Sequence, residues 1–412
     1  VEQGAVPAAE AVAREYVLLG LRCGRVLPGL VDAYTGPAAV RRRVADEPPP
    51  HAGELAKRAA LLRAELPGSG LVPARREFLD RQLAALECAM ARADGRPVGY
   101  AEELRAYFDL PASSVRPGDQ ERYLAAHAEL AEVLPAGGPL AARMAVQRKR
   151  EEMPSSLVGP AMQALSAELR ALTSARLGLP PGEAVFYELA IDRPWSGFNH
   201  YAGGFRSRVA LDAEQARRAP ALARLVAHEA YPGHHTERCR REAVLVASQG
   251  QQEHTLFLLN TPQCLISEGL AELALPALVG AEWGSWVEGV LAGLGFRLDG
   301  ELAQRVAGAV DALAPVRLDA ALMLHRGRAD ADAVVNYLRR WLLVPEPRAR
   351  RMLRFIGHPL WRAYTATYVA GPPLLRAWLD ARPAGQPSTD RFRRLLDEPL
   401  TPSLLRAELS TA

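Results

Sequence analysis

Apolar residues recur three and four positions apart along most of the chain, as in AVAREYVLLGLRCGRVLPGLV (11–31), AKRAALLRAEL (56–66) and REFLDRQLAALECAMARA (76–93). The intervening positions are mostly Ala, Arg and Glu, good helix formers, so the pattern predicts a mainly α protein: a large multi-helix fold. Pro and Gly interrupt the helical rhythm at DEPPPHAG (46–53), LPAGGPL (134–140) and LGLPPGE (177–183), none long enough to act as a flexible tether. The third break suggests an N-terminal helical lobe over 1–178 and a second lobe over 179–412, forming one compact unit. One region changes period. AVFYELAI (184–191) and FRSRVALD (205–212) are rich in β-branched and aromatic residues and flank the turn formers of DRPWSGFNHYAGG (192–204). The simplest expectation is a small β hairpin or sheet just ahead of the next helix.

Composition narrows the function classes. The chain is 412 residues long, 49% hydrophobic and 24% charged, and has no apolar run near the roughly 18 residues of a membrane span. No membrane role is expected. The opening VEQGAVPAAEAVAREY lacks the basic start and apolar stretch of a secretory leader, which reads as cytoplasmic. Cys23, Cys88, Cys239 and Cys264 contain no CxxC pair and read as free thiols. Net charge is only +3, and the basic runs at 41–43 and 148–150 sit beside acids, so no nucleic-acid footprint is expected.

Three of the nine histidines lie in AHEAYPGHHTE (227–237). An ordinary HExxH helix places its histidines four apart on one face, within reach of one metal. Here position 232 is proline, and the following histidines are His234 and His235. On an unbroken helix His234 would point about 120° away from His228, and His235 would lie about 10.5 Å along the axis. Pro232 cannot donate to the carbonyl of His228, and Gly233 tolerates unusual dihedrals. The helix must widen, kink or restart there, and a two-residue insertion could return one of the two histidines to the side of His228.

A third ligand is sought in TPQCLISEGLAELALPAL (261–278), where Glu268 and Glu272 share a face of an otherwise apolar helix. A carboxylate in such a setting needs a partner, and a metal is a good one. Glu229 would then be a general base acting on water. The plainer reading is a solvated histidine cluster with salt-bridged acids, on a binding or scaffold protein without catalysis. Serine-hydrolase and nucleotide chemistry have no support: there is no GxSxG or P-loop, and GLGFRLDG (293–300) lacks GxGxxG spacing.

These segments together resemble the bacterial family catalogued as domain of unknown function 885, grouped with HExxH-type zinc metallopeptidase-like proteins. HEAYPGHH (228–235) matches its HExxPGHH, SEGLAE (267–272) its EGWA-type helix, and TYVAG (367–371) its SYxxG; FNHYAGGFRSRVAL (198–211) and PGLVDAYTGP (28–37) add support. The resemblance implies a metallopeptidase-like fold and a gluzincin-type zinc (Zn2+) site held by His228, His234 and Glu268, with Glu229 as base. It also implies Tyr368 as donor to an oxyanion, against the plainer role of a buried tyrosine. Asn199, Tyr201 and His325 become candidate substrate contacts, and FRSRVAL a candidate edge strand for an extended substrate. The implied reaction is hydrolysis of peptide or other amide bonds on a short peptide or a small amide substrate. Two departures stand out: Leu270 replaces the family's tryptophan, and Ala321 stands where an aspartate is usual, with Asp319 displaced.

Overall fold

A computed structural model describes residues 8–191, 195–383 and 385–411; the first part of the DRPWSGFNHYAGG stretch, 192–194, and the opening residues 1–7 lie outside the described residues. The chain is 68% helical with small sheets of two and three strands, the mainly α architecture expected from its periodicity. One apolar core runs from Val12 to Leu405. Among the described residues, no single helix is long and apolar enough to cross a membrane.

The helix Pro262–Val279 is the centre of the fold. Cys264, Leu265, Ile266, Leu270, Leu273, Ala274 and Leu278 point in all directions from its axis and are all buried, as expected of a helix that is apolar all round. It packs against Pro73–Ala93, Tyr100–Phe108, Ser155–Arg176, Ala219–Glu229 and Thr365–Asp380. The closest of these approaches is with the last. A Cβ on Gly269 would come within 2.8 Å of the Gly371 backbone, and one on Gly371 within 2.8 Å of the Leu265 carbonyl. Two bare positions therefore let the backbones touch, and the crossing brings the TYVAG helix against Glu268.

The strands are β1 (Val31–Tyr34), β2 (Ala184–Ala190), β3 (Gly197–Gly203), β4 (Arg206–Asp212) and β5 (Leu256–Leu258). β1 pairs antiparallel with β5. The other sheet has the order β2-β4-β3, with β2 parallel and β3 antiparallel to β4. The small sheet expected ahead of the histidine helix is present, its pairing is now defined, and the edge-strand expectation for FRSRVAL is corrected. The segments 184–191 and 205–212 are neighbours but not a hairpin; β4 makes its hairpin with β3, which its turn-forming composition disguised. FRSRVAL lies in the central strand, and β3 is an edge. The composition of β3 has local causes. Gly203 and Gly204 take positive φ (80° and 59°) in the tight turn, and a Cβ on Gly197 would lie 2.4 Å from Glu229 Oε1.

Gly371→Ala should destabilise the protein by about 1–3 kcal/mol, because the added methyl meets backbone rather than a movable side chain. Urea unfolding checks this, and an unchanged midpoint would contradict the close crossing.

Candidate metal centre

The helix Ala219–Glu229 begins with Pro220 in its first turn and buries Leu222, Ala223, Val226 and, on the same side, Glu229, while His228 is turned away from that stripe. It then breaks: Tyr231–Pro232 is cis, and a new helix runs from His234 to Arg241. Two backbone bonds bridge the break, Gly233 N–H to Ala227 O at 2.9 Å and Thr236 N–H to Ala230 O at 3.2 Å. Each spans six residues, where a regular helix spans four. The break takes in two extra residues, and His234 comes beside His228 much as the second histidine of HExxH would. Gly233 is required, since a Cβ there would sit 1.9 Å from the His228 carbonyl.

The result brings three donors together. His228, His234 and Glu268 offer atoms that all lie within 4.8 Å of one another. His228 Nε2 is 3.4 Å from Glu268 Oε2, and His234 Nε2 is 3.3 Å from Glu268 Oε1. The imidazole planes stand at 89° with centroids 4.7 Å apart. Charge-assisted hydrogen bonds would be shorter, about 2.7–2.9 Å. Donors of a tetrahedral ion at zinc distances, in contrast, are about 3.3–3.4 Å apart. Glu268 Oε2 is moreover buried with no hydrogen-bond partner among the described residues. A carboxylate that sets one oxygen toward each of two imidazoles and leaves Oε2 orphaned suits a cation, and a His, His, Glu donor set suits zinc.

The other side of each ligand is also engaged. His228 Nδ1 faces Glu272 at 3.7 Å, itself held by Arg224. His234 Nδ1 lies 3.2 Å from Ser267 Oγ and 3.9 Å from Glu237, and Ser267 donates to Glu237. The Tyr364 hydroxyl donates to Glu268 Oε1 at 2.7 Å. Such contacts fix which nitrogen would be presented to a bound ion. Burial opposes charge on His234, yet Glu268, Glu237 and Glu229 push its pKa up to about 10 in the metal-free protein. Burial likewise opposes charge on Glu268, but His234 and His228 hold it well below the usual carboxylate range.

Glu229 and Tyr368 share a cavity of about 460 Å³ with His228. Burial raises the Glu229 carboxyl, with Glu268 and Asp32 adding to it, while His228 and His234 pull it down. Burial, then the charges of Glu268, Glu272 and Glu229, keep the Tyr368 phenol protonated far above neutrality.

Other expected residues lie elsewhere. His235 is fully buried behind the sheet, with Nδ1 2.8 Å from Ser207 Oγ and Nε2 2.8 Å from Glu183, which also accepts from Tyr231 and Arg170. Cys239 packs beneath it. Asn199 holds the Glu229 carbonyl at 2.6 Å rather than facing the cavity. Tyr201 as a cleft residue is corrected: it is buried and donates to Glu242 at 2.6 Å, pinning the β3–β4 turn. His325 is corrected too, since its Nε2 meets the Ile356 carbonyl at 2.7 Å and its ring packs on Tyr100. Asp319 accepts from Tyr123, Tyr337 and the Gly118 amide, a structural junction. Sequence reasoning missed Tyr364, although its spacing of four from Tyr368 puts both on one helix face. Ser267 and Glu237 carried no signal.

No family profile and no curated protein sequence matches the chain. Among solved structures, it is similar to a candidate lipoprotein from Colwellia psychrerythraea, with 16% identity over 87% of this chain and 69% of that one and a TM-score of 0.53. That likeness concerns the fold alone. Looser overlaps are a candidate lipoprotein of unknown function from Shewanella oneidensis (10% identity, 100% of this chain and 89% of that one, TM-score 0.49) and a Pyrococcus furiosus carboxypeptidase (10%, 99% and 92%, TM-score 0.40); neither carries an argument.

Elemental mass spectrometry should find about one zinc per chain, lost in His228→Ala and His234→Ala. His235→Ala should keep the metal but lose stability, because Glu183 loses a buried partner. Zinc lost from folded His235→Ala and kept by His234→Ala would reverse the ligand assignment. Zinc affinity should also rise with pH, by up to about tenfold per unit below pH 10, because the ion must displace the proton that His234 carries. A pH-independent affinity would contradict that competition.

Proposed function

We propose that this protein is a zinc-dependent hydrolase of peptide or other amide bonds acting on short substrates, as the resemblance to the domain of unknown function 885 family implies. The observation that carries the reading is the ligand-like spacing of His228, His234 and Glu268 beside a cavity lined by the buried Glu229 carboxylate and the Tyr368 phenol. A zinc ion bound there would supply a Lewis acid that acidifies water and polarises a carbonyl.

The chain's own groups would do the rest. Among the described residues Glu229 makes no side-chain hydrogen bond, so its oxygens are available to accept a proton from water. Its burial raises its pKa and makes it a stronger base than an exposed glutamate. The base can then return the proton to the leaving amine. Tyr368, a permanent donor at neutral pH, would hydrogen-bond the carbonyl oxygen as negative charge develops on it. The limited volume of the cavity favours a short peptide or a small-molecule amide over a folded protein chain.

Glu229→Gln should retain zinc and lose about 10²–10⁴-fold in turnover on a panel of peptides and amides. Tyr368→Phe should lower kcat by about 10²-fold with little change in KM. Near-normal turnover in zinc-loaded Glu229→Gln would remove it as the base.

A further inference from the structure

The cavity that holds His228, Glu229 and Tyr368 has a second, basic stretch of wall formed by Arg148, Arg218, Arg317, Arg348 and Arg351. These residues come from four separate parts of the fold: the helices Leu140–Arg150, Pro315–His325 and Glu346–Gly357, and the residue preceding the His228 helix. Tertiary packing therefore collects cations that are scattered in sequence.

The carboxylates around them do not balance the charge. Glu272 and Asp311 are taken by Arg224, Glu151 by Arg218, and Glu214 by Arg351. Asp212 caps a helix at the Gln215 amide. Among the described residues Arg148 is held by the carbonyls of Leu343 (2.6 Å) and Leu342 (3.4 Å) and by no carboxylate. Among the described residues the side chains of Arg317 and Arg348 have neither a hydrogen bond nor an ion pair, and the Nε atoms of Arg218 and Arg317 are buried without a partner. Burial, followed by Arg148, Arg317 and Arg218, pushes Arg348 down to about 9, and burial and Arg218 push Arg148 down to about 10. Both still carry charge at neutral pH. Half-buried cations that repel one another are costly unless something anionic joins them.

Resting on the hydrolase reading, we propose that the substrate is an acid, a short peptide or amide whose carboxylate is gripped by Arg148, Arg218, Arg317 and Arg348 while its scissile bond lies at Glu229. Planar guanidinium groups match a carboxylate in paired hydrogen bonds. The same wall repels cationic substrates, so it selects by charge as well as by shape.

The test uses glutarate as probe, with the uncharged glutaramide as control, in calorimetric titrations of zinc-loaded protein and of the metal-stripped form. Glutarate should bind both forms and glutaramide neither, and Arg317→Met with Arg348→Met should weaken glutarate at least tenfold. In anion-free buffer Arg348→Met alone should raise the thermal midpoint by about 1 °C or more, because it removes a repelled cation. A fall of several degrees would mark Arg348 as a structural prop and overturn the assignment. Glutarate binding that vanishes with zinc and ignores both arginine substitutions would also overturn it. In turnover, peptides with a free C-terminal carboxylate and amidated peptides with an internal glutamate, each set against uncharged counterparts, show which carboxylate is read. Arginine-dependent glutarate binding without hydrolysis of any amide would sustain the anion site and defeat the hydrolase reading. Hydrolysis of neutral and acidic amides alike, with no glutarate binding, would do the reverse.

Discussion

Two backbone hydrogen bonds that span six residues, from Gly233 to Ala227 and from Thr236 to Ala230, set the geometry on which the rest of the site depends. They bridge the Pro-Gly interruption, and His228 and His234 end with ring centroids 4.7 Å apart. The same distortion sends the next residue the other way. His235 enters the protein interior and joins Glu183, Tyr231, Arg170 and Ser207 in a buried polar cluster. Adjacent histidines thus serve opposite ends: His234 turns to His228 and Glu268, and His235 anchors the restarted helix to the sheet.

The donor from the second helix is subject to a different constraint. Glu268 sits on a helix that is buried on every face, where an unpaired carboxylate is costly. Two imidazoles and the Tyr364 hydroxyl share its oxygens, yet Oε2 stays without a proper hydrogen bond. That shortfall is tolerable because a cation can supply what the protein does not. The Gly269–Gly371 approach makes the arrangement possible, since it lets the helix carrying Tyr364 and Tyr368 lie directly against the Glu268 helix.

One cavity is lined both by His228, Glu229 and Tyr368 and by arginines with too few partners. A substrate with a polarisable carbonyl and a carboxylate at some distance from it would meet complementary charge at both places. The apolar part of the lining, including Leu225, Leu275, Met352 and Phe355, provides volume without competing hydrogen bonds.

How much of this the amino-acid order determines follows from the range of each interaction. Helix periodicity, the Pro-Gly break and the lone acids on an apolar helix are local facts, so the mainly α class and the grouping of His228, His234 and Glu268 were legible from residue spacing and the family resemblance. Pairing and burial are not local. β3 read as a loop because its glycines answer to Glu229 and to a tight turn, and Tyr201 and His325 read as cleft residues although each is tied to a partner more than thirty residues away. Tyr364, Ser267, Glu237 and the unpaired arginines acquire meaning only when separate helices meet. The chain alone dictated which groups could act; tertiary packing decided which of them face one another, because the dielectric and the partners that tune a charge come from whatever happens to be folded around it.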